Sequence, residues 1–260
     1  MWNQDSTNQA ITKREQGVGK QMSYMALFDK DVINEKFSSG KLLNELLNNQ
    51  TYTIEKKKIT LDKNEILFHE DKVHDYMYII ESGICAAWKQ GYITGFLSKD
   101  EVVGMHDILG NEESSLTIQA LTQVVVWQFT KKQVMSKLMY MQEGLFYLYH
   151  DIKMFNQGLL EKEMMQTVGT KERLLTTLLK LGKRYGEPCE DGIKLPKIFT
   201  RRIISNYVGI TSEHVSYLCR VFVKEGIIES HSNQIFITEA NLEAACDMLS
   251  TMNPVNASTI

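Results

Sequence analysis

Between Thr51 and Thr130 the apolar residues fall in short runs separated by turn residues: YTIEKKKITL, KNEILFHEDK, DYMYIIESG, ICAAWKQG, YITGFLSKDEVVG, SSLTIQAL and QVVVWQF. Runs rich in Ile, Val, Tyr and Phe, broken every eight to twelve residues or so, predict an all-β sandwich or roll. No alternation of strand and helix patterns appears, which excludes a Rossmann sheet. Before this block, residues 1 to 24 are polar and aperiodic and are expected to form a flexible arm, and INEKFSSGKLLNELLN (33–48) is expected to form one short helix.

After Thr130 the period changes. KKQVMSKLMYM is a short amphipathic piece, interrupted at Gly144. Leu145, Leu148, Ile152, Phe155 and Leu159 then recur at alternating spacings of three and four, the pattern of a coiled-coil seam. A helix from 143 to 168 would be about 39 Å long. Such a length between two compact blocks favours pairing with a second copy over packing on its own domain, so these five residues are the expected dimer interface. Next come KERLLTTLLKLGKRYG, with its leucines on one side, TRRIISNYVG and ITSEHVSYLCRVFVKEG joined at Gly209, IIESHSNQIFI as two strands around a Ser-Asn turn, and a last helix EANLEAACDMLS. Helix, short helix, turn, helix and hairpin read as a winged helix-turn-helix. The expected architecture is α+β: an arm and short helix (1–48), a β-roll (49–132), a linker and dimerisation helix (133–168), a winged helix (169–251) and a tail (252–260).

Charge sharpens this picture. The formal net charge is -3, so any nucleic-acid footprint must be local. Residues 171 to 229 carry eleven Lys and Arg against seven Asp and Glu, a basic end inside an acidic whole. There, Ile203, Ile204, Val208, Ile210, Val215, Leu218 and Phe222 can form one core under two helices, leaving Thr200, Arg201, Thr211, Ser212, Ser216 and Arg220 facing outward. Hydroxyls and cations at the edges of a recognition helix suit DNA phosphates.

Four cysteines without a CxxC pair argue against a zinc knuckle, an iron-sulfur cluster or a disulfide framework, and fit a reducing cytoplasm. No apolar run reaches a membrane span and no secretory apolar segment is present, so neither a membrane location nor export is expected. There is no Gly-rich phosphate loop, HExxH, GxSxG or paired acid with a helper base, so no catalytic residues are assigned and no metal or other cofactor is expected.

These segments resemble the CRP/FNR superfamily of bacterial transcription regulators over residues 50 to 250. The similarity is carried by KNEILFHEDKVHDYMYIIESGICAAW with GYITGFLSKDEVVGM, which place Gly83 and Gly104, and by TRRIISNYVGITSEHVSYLCRVFVKEGII with ESHSNQIFI. The resemblance implies a β-roll similar to a cyclic-nucleotide-binding domain, a homodimer, double-stranded DNA as partner, and RNA polymerase as a second partner of an activator. It implies that Thr200 and Arg201 touch phosphate from the bracing helix, Thr211 from the recognition-helix cap, and His231 from the wing. Glu213 falls where the family's glutamate accepts from a cytosine amino group, and an acid facing cytosine N4 is sound chemistry. Ser216 matches the serine of the FNR branch.

Two departures stand out in the reading helix. Ser212 replaces an arginine of the CRP branch, and Tyr217 stands where most members read guanine with arginine. Tyrosine cannot make that bidentate bond, so a base contact and a phosphate or packing contact are equal readings for Tyr217, and Arg220 lies one turn on.

In the sensor, VVGMHDILGNEESSLTIQAL puts Met105 at the position of the ribose-binding Glu and Ser114, followed by Ser115, at that of the phosphate-binding Arg. With Glu112 and Glu113 adjacent, a phosphodiester is poorly served, and no response to cAMP is expected. His69, His74, His106 and Met105 leave haem as a formal alternative to ordinary packing roles. Cys85 is expected to be a buried filler. Loss of the nucleotide residues is shared with the PrfA-like branch, which carries a glutathione- or peptide-type small molecule as a candidate effector class.

Overall fold

The computed structural model describes residues 29–50, 52–190, 192–231 and 234–238. The predicted arm, the tail, the Ser-Asn turn of the wing and the last helix EANLEAACDMLS lie outside them. Two helices come first, α1 (Lys30–Lys36) and α2 (Ser39–Leu47), where one was expected. Asp29 caps α1 by accepting from the amides of Asp31 and Val32, and the chain breaks at Phe37. The break lets Ile33, Phe37, Leu42 and Leu46 all reach one core, which a single straight helix starting at residue 33 would not do.

Eight strands follow: β1 (Lys57–Leu61), β2 (Ile66–Phe68), β3 (Tyr76–Ser82), β4 (Cys85–Lys89), β5 (Tyr92–Leu97), β6 (Val102–Val103), β7 (Thr117–Ala120) and β8 (Val124–Thr130). They form two four-stranded sheets, ordered β1-β8-β3-β6 and β2-β7-β4-β5. The space between the sheets holds Leu61, Tyr78, Ile80, Cys85, Ile118 and Val126. The outer face of the first sheet buries Met77, Ile79 and Phe129 against α1, α2 and α3 (Lys131–Tyr140). Alternate residues of β3 thus serve two cores, which is why YMYII is apolar throughout rather than alternating. Cys85 is the filler expected of it, and burial pushes its thiol up to about 12, with Glu101 acting in the same direction.

The long helix is α4 (Leu145–Thr167). Gly144 separates it from α3 because the chains approach too closely for a side chain: a Cβ there would sit 1.9 Å from the Leu138 carbonyl oxygen. After a short break α5 (Thr170–Tyr185) begins, with Glu172 accepting from the Gly169 amide at 3.2 Å. A hairpin, β9 (Glu187–Cys189) and β10 (Gly192–Lys194), comes next. Its three-residue strands, with no apolar alternation, leave no periodic signal in the sequence. Then come α6 (Arg201–Val208), α7 (Ser212–Lys224), β11 (Glu229–His231) and β12 (Gln234–Thr238), the sheet running β11-β12-β10-β9. The core of this unit contains Leu174, Leu178, Ile204, Val208, Val215, Leu218 and Phe222, with Ile203 and Ile210 half-buried against it. Ala86, Ile93 and Phe96 of the β-roll join the same core, so the outer face of the β4–β5 hairpin is covered by the helix-turn-helix unit.

The five seam residues divide. Leu145, Ile152 and Leu159 are exposed on α4. Leu148 packs instead against the core beside α1 and α2, and Phe155 packs against the β-roll with its ring 4.4 Å from that of His106. The expectation that all five face outward is corrected: α4 is apolar on two sides, one used by its own β-roll, and a three-four spacing does not separate them. The exposed stripe is completed by Tyr149, Leu160 and Met164.

Candidate nucleic-acid interface and sensor pocket

The reading elements are built from two caps and one turn. Thr200 accepts from the Ile203 amide at 3.3 Å and starts α6, while Thr211 accepts from the His214 amide at 3.2 Å and starts α7. Between them Gly209 takes φ 75, a left-handed conformation that glycine adopts without a Cβ penalty. The turn orients α7 so that Val215, Leu218, Cys219 and Phe222 are buried. Thr211, Glu213, Tyr217 and Arg220 are left exposed, Tyr217 by 54%.

Thr200 and Arg202 are also exposed, whereas Arg201 is half-buried. Burial raises the Cys219 thiol, and the charge of Arg201 pulls it the other way. Two hydroxyls expected to face outward are engaged inside the motif. Ser212 Oγ lies 3.1 Å from Ser205 Oγ, joining α7 to α6, and Ser216 Oγ donates to the Ser212 carbonyl at 2.8 Å. A serine one turn into a helix has its own backbone acceptors within reach, a competition that outward-face counting ignores. His231 lies on β11, in the wing. His214, read from sequence as part of the exposed face, turns back toward Thr170 at 3.4 Å and stacks at 6.0 Å on Tyr217.

Between the β-roll and the helices α4, α5 and α6 lies a cavity of about 340 Å³, with Leu97, Val103, Ile118, Phe155 and Tyr207 among its lining. Beside it the loop between β6 and β7 gathers charge. The Asp107 carboxylate accepts from the Ser115 amide at 3.1 Å and from the Ser115 hydroxyl at 3.4 Å, with the Ser114 hydroxyl oxygen 3.3 Å away. His106 Nε2 lies 3.3 Å from it, and the buried Lys131 ammonium donates to the Asp107 carbonyl. Burial opposes charge on Asp107, yet His106, the Ser115 amide and Lys131 outweigh it and hold the carboxyl below the usual carboxylate range. Ser114, at 1% exposure, spends its own proton on the Leu116 carbonyl. The donors of this loop therefore already serve an internal anion, and the residues do not fit a cyclic phosphodiester, which would meet the Asp107 charge at close range. Nothing in the sequence pattern marked Asp107 or Lys131, because their meeting depends on the loop's path.

Asp151 on α4 faces the same group. Burial pushes its carboxyl up to about 6, Asp107 acts in the same direction, and His106 pulls it down. The folded protein thus holds this proton more tightly than the unfolded chain. Stability from it is present below about pH 4 and is lost as pH rises through 6, by at most about 3 kcal/mol. The depressed Asp107 acts in a separate, more acidic window. Asp151→Asn is expected to raise the melting temperature at pH 7.5 by several degrees and to flatten the melting-temperature profile between pH 4 and 6, read by circular dichroism.

His74 lies within electrostatic reach of the same group, with burial and Lys131 lowering its imidazole and Asp107 raising it. His74 stacks on Phe68 at 3.9 Å, and among the described residues no three of His, Cys, Asp and Glu cluster as metal ligands. Nor, among those residues, is any helix long and apolar enough to cross a membrane.

Comparison with known proteins decides the family. Residues 58–140 match the cyclic nucleotide-binding domain and residues 172–244 the Crp-like helix-turn-helix domain. The chain belongs to the CRP/FNR superfamily. Its relatives include the anaerobic regulatory protein of Haemophilus influenzae, 27% identical over 76% of this chain and 79% of that protein. The fumarate and nitrate reduction regulatory protein of Salmonella typhimurium is 25% identical over 78% of this chain and 83% of its own length. Among solved structures, FixK2 from Bradyrhizobium japonicum shares the fold with a TM-score of 0.64 at 19% identity, covering 74% of this chain and 98% of that one. A cyclic nucleotide-binding domain containing protein from Listeria monocytogenes EGD-e gives 0.60 at 19% identity, over 78% and 96%. This CRP/FNR member is a DNA-binding transcription regulator.

Proposed function

We propose that the regulator acts as a homodimer joined along α4 and binds a palindromic DNA site, each α7 entering one of two successive major grooves about 34 Å apart. The observation that carries this reading is the exposed apolar stripe on α4. Leu145, Tyr149, Ile152, Leu159, Leu160 and Met164 are each 45 to 59% exposed, a contiguous face whose burial against a copy of itself is favourable. Arg201, Thr200, Thr211 and the wing residue His231 hold phosphates, Glu213 accepts from a cytosine amino group, and Tyr217 and Arg220 line the remaining reading face. Ser212 and Ser216 shape the helix and contact DNA secondarily. RNA polymerase is the further partner where the outcome is activation, and the protein works in the cytoplasm without catalytic activity.

Selection of bound sequences from a random DNA pool by the purified protein tests this reading. Recovery of an inverted repeat with half-sites about one helical turn apart supports it, and recovery of no preferred sequence overturns it.

The sensor answers to a small molecule other than a cyclic nucleotide. The self-satisfied loop at Asp107 supports this, and the mixed apolar and charged cavity leaves room for a compact ligand, with glutathione or a short peptide as the class to try first. Titration with cAMP is expected to give no saturable heat in calorimetry and no gain in DNA affinity.

A further inference from the structure

The sensor and the helix-turn-helix meet at one short segment, the β4–β5 turn with the first residues of β5. Asn206 of α6 grips that segment with both ends of its amide. Its Oδ1 accepts from the Ile93 amide at 2.6 Å, and its Nδ2 donates to the Gly91 carbonyl at 3.0 Å. From the other side Lys162 of α4 donates to the Ile93 carbonyl, and its ammonium lies 4.8 Å from the ring centroid of Tyr207, the neighbour of Asn206 on α6. The Ile93 side chain is fully buried in the core shared with the DNA-binding unit. Phe96, three residues along the strand, packs at 4.9 Å on Tyr207 and 5.1 Å on Phe199, and its carbonyl accepts from Tyr185 at 3.0 Å.

Two elements distant in sequence, α4 and α6, therefore converge on the backbone of one residue. Both polar groups of Ile93 are taken by side chains that come from outside the sensor. The Lys162 ammonium is desolvated there, which pulls it down to about 8; a buried cation of this kind is tolerated only where it has fixed partners. Meanwhile the opposite face of the unit stays open: Thr211, Glu213, Tyr217 and Arg220 are exposed with the hairpin in place. The docked arrangement and the reading face do not compete.

We propose that Asn206 and Lys162 are positioning residues for DNA binding: they clasp the β4–β5 hairpin and fix the orientation in which α7 is presented. The clasp holds the DNA-binding unit in its reading orientation, so its hydrogen bonds reduce the orientational freedom that DNA binding would otherwise have to remove. Signals from the sensor reach the reading helix through the position of the Ile93 backbone. This inference rests on the DNA-binding reading above but concerns a surface that touches no DNA.

The test uses the full-length protein, a DNA site recovered by selection with the wild type, and amide hydrogen exchange without DNA. Asn206→Ala is expected to speed exchange at Ile93, to leave Val215 and Leu218 of α7 protected, and to weaken DNA binding roughly tenfold with unchanged base preference, in keeping with the loss of two hydrogen bonds. Asn206→Asp, which keeps the acceptor for the Ile93 amide and loses the donor to Gly91, is expected to fall between alanine and wild type. Lys162→Met is expected to weaken DNA binding in the same direction. Faster exchange at Ile93 with unaltered or improved DNA affinity would overturn the clasp, as would loss of protection in α7, which would make Asn206 a residue of the fold alone. Failure of the wild type to select any site counts against the DNA reading, whereas a variant equal to a competent wild type counts against the clasp.

Discussion

Replacing Glu213 with alanine is expected to broaden the base preference at one position in each half-site while leaving overall binding largely intact. The carboxylate is exposed in the first turn of α7, where a side chain enters the groove first, and it offers only acceptors. In the major groove the donor it can meet on a G·C pair is the cytosine N4 amino group, and a good base contact is worth about 1 to 3 kcal/mol of discrimination. Removing it should therefore cost roughly ten- to a hundredfold in the ratio of preferred to substituted site at that position. The loss of an acid near phosphates slightly favours non-specific binding. Arg201→Ala should behave differently, weakening binding to all sequences alike and reducing the salt slope by about one. Quantitative binding to a panel of single-base variants at two salt concentrations separates the two patterns. Equal loss on every sequence for Glu213→Ala would remove its base-reading role.

The second large effect is expected from charge placed in the α4 stripe. Ile152→Glu combined with Leu159→Glu should convert the protein to a monomer in sedimentation equilibrium and lower its affinity for the palindromic site more than a hundredfold. Each half-site contact alone retains only its own free energy, and the advantage of linked binding disappears. Across a two-fold axis the new carboxylates would also face their own copies in an apolar seam. Leu148→Ala and Phe155→Ala serve as contrasts. Those side chains pack into the β-roll and its helical cover, so the expected result is a lower melting temperature, from about 2 kcal/mol or more of lost packing, with the dimer retained at moderate temperature. A dissociated Leu148 variant with unchanged stability would reverse this assignment.

The two halves of the molecule were unequally legible. In the helix-turn-helix, caps, glycine and apolar spacing are all local, and Thr200, Gly209, Thr211, Val215 and Phe222 take the roles their order implies. The outward list was less reliable. Ser212 and Ser216 bond inside the motif, since a short hydroxyl has several local partners and only the rotamer selects one. In the β-roll the strands were readable from their runs, yet the loop between β6 and β7 was legible only by what it lacked. Ser114 and Met105 in place of the residues that hold a nucleotide imply a poor phosphate site; that Asp107 is the anion served instead depends on the path of the loop, which brings its carboxylate to the Ser115 amide and hydroxyl and its backbone carbonyl to the Lys131 ammonium, 24 residues later.

The sequence by itself determined the order and kind of the elements apart from the split of the first helix and the β9–β10 hairpin, the basic character of the C-terminal unit, the family, and the departure at Tyr217 from the usual guanine-reading arginine. These depend on periodicity, composition and short motifs, all of which are interactions between near neighbours. Only the tertiary structure decided which apolar side of α4 stays exposed, that a carboxylate of the chain occupies the sensor's donors, and that Asn206 and Lys162 meet on Ile93. The bonds of Asn206 and Lys162 to Ile93 join residues 113 and 69 positions apart, and the Asp107 cluster, though close in sequence, depends on the path of its loop; each is set by how the chain packs, and no periodic pattern encodes it.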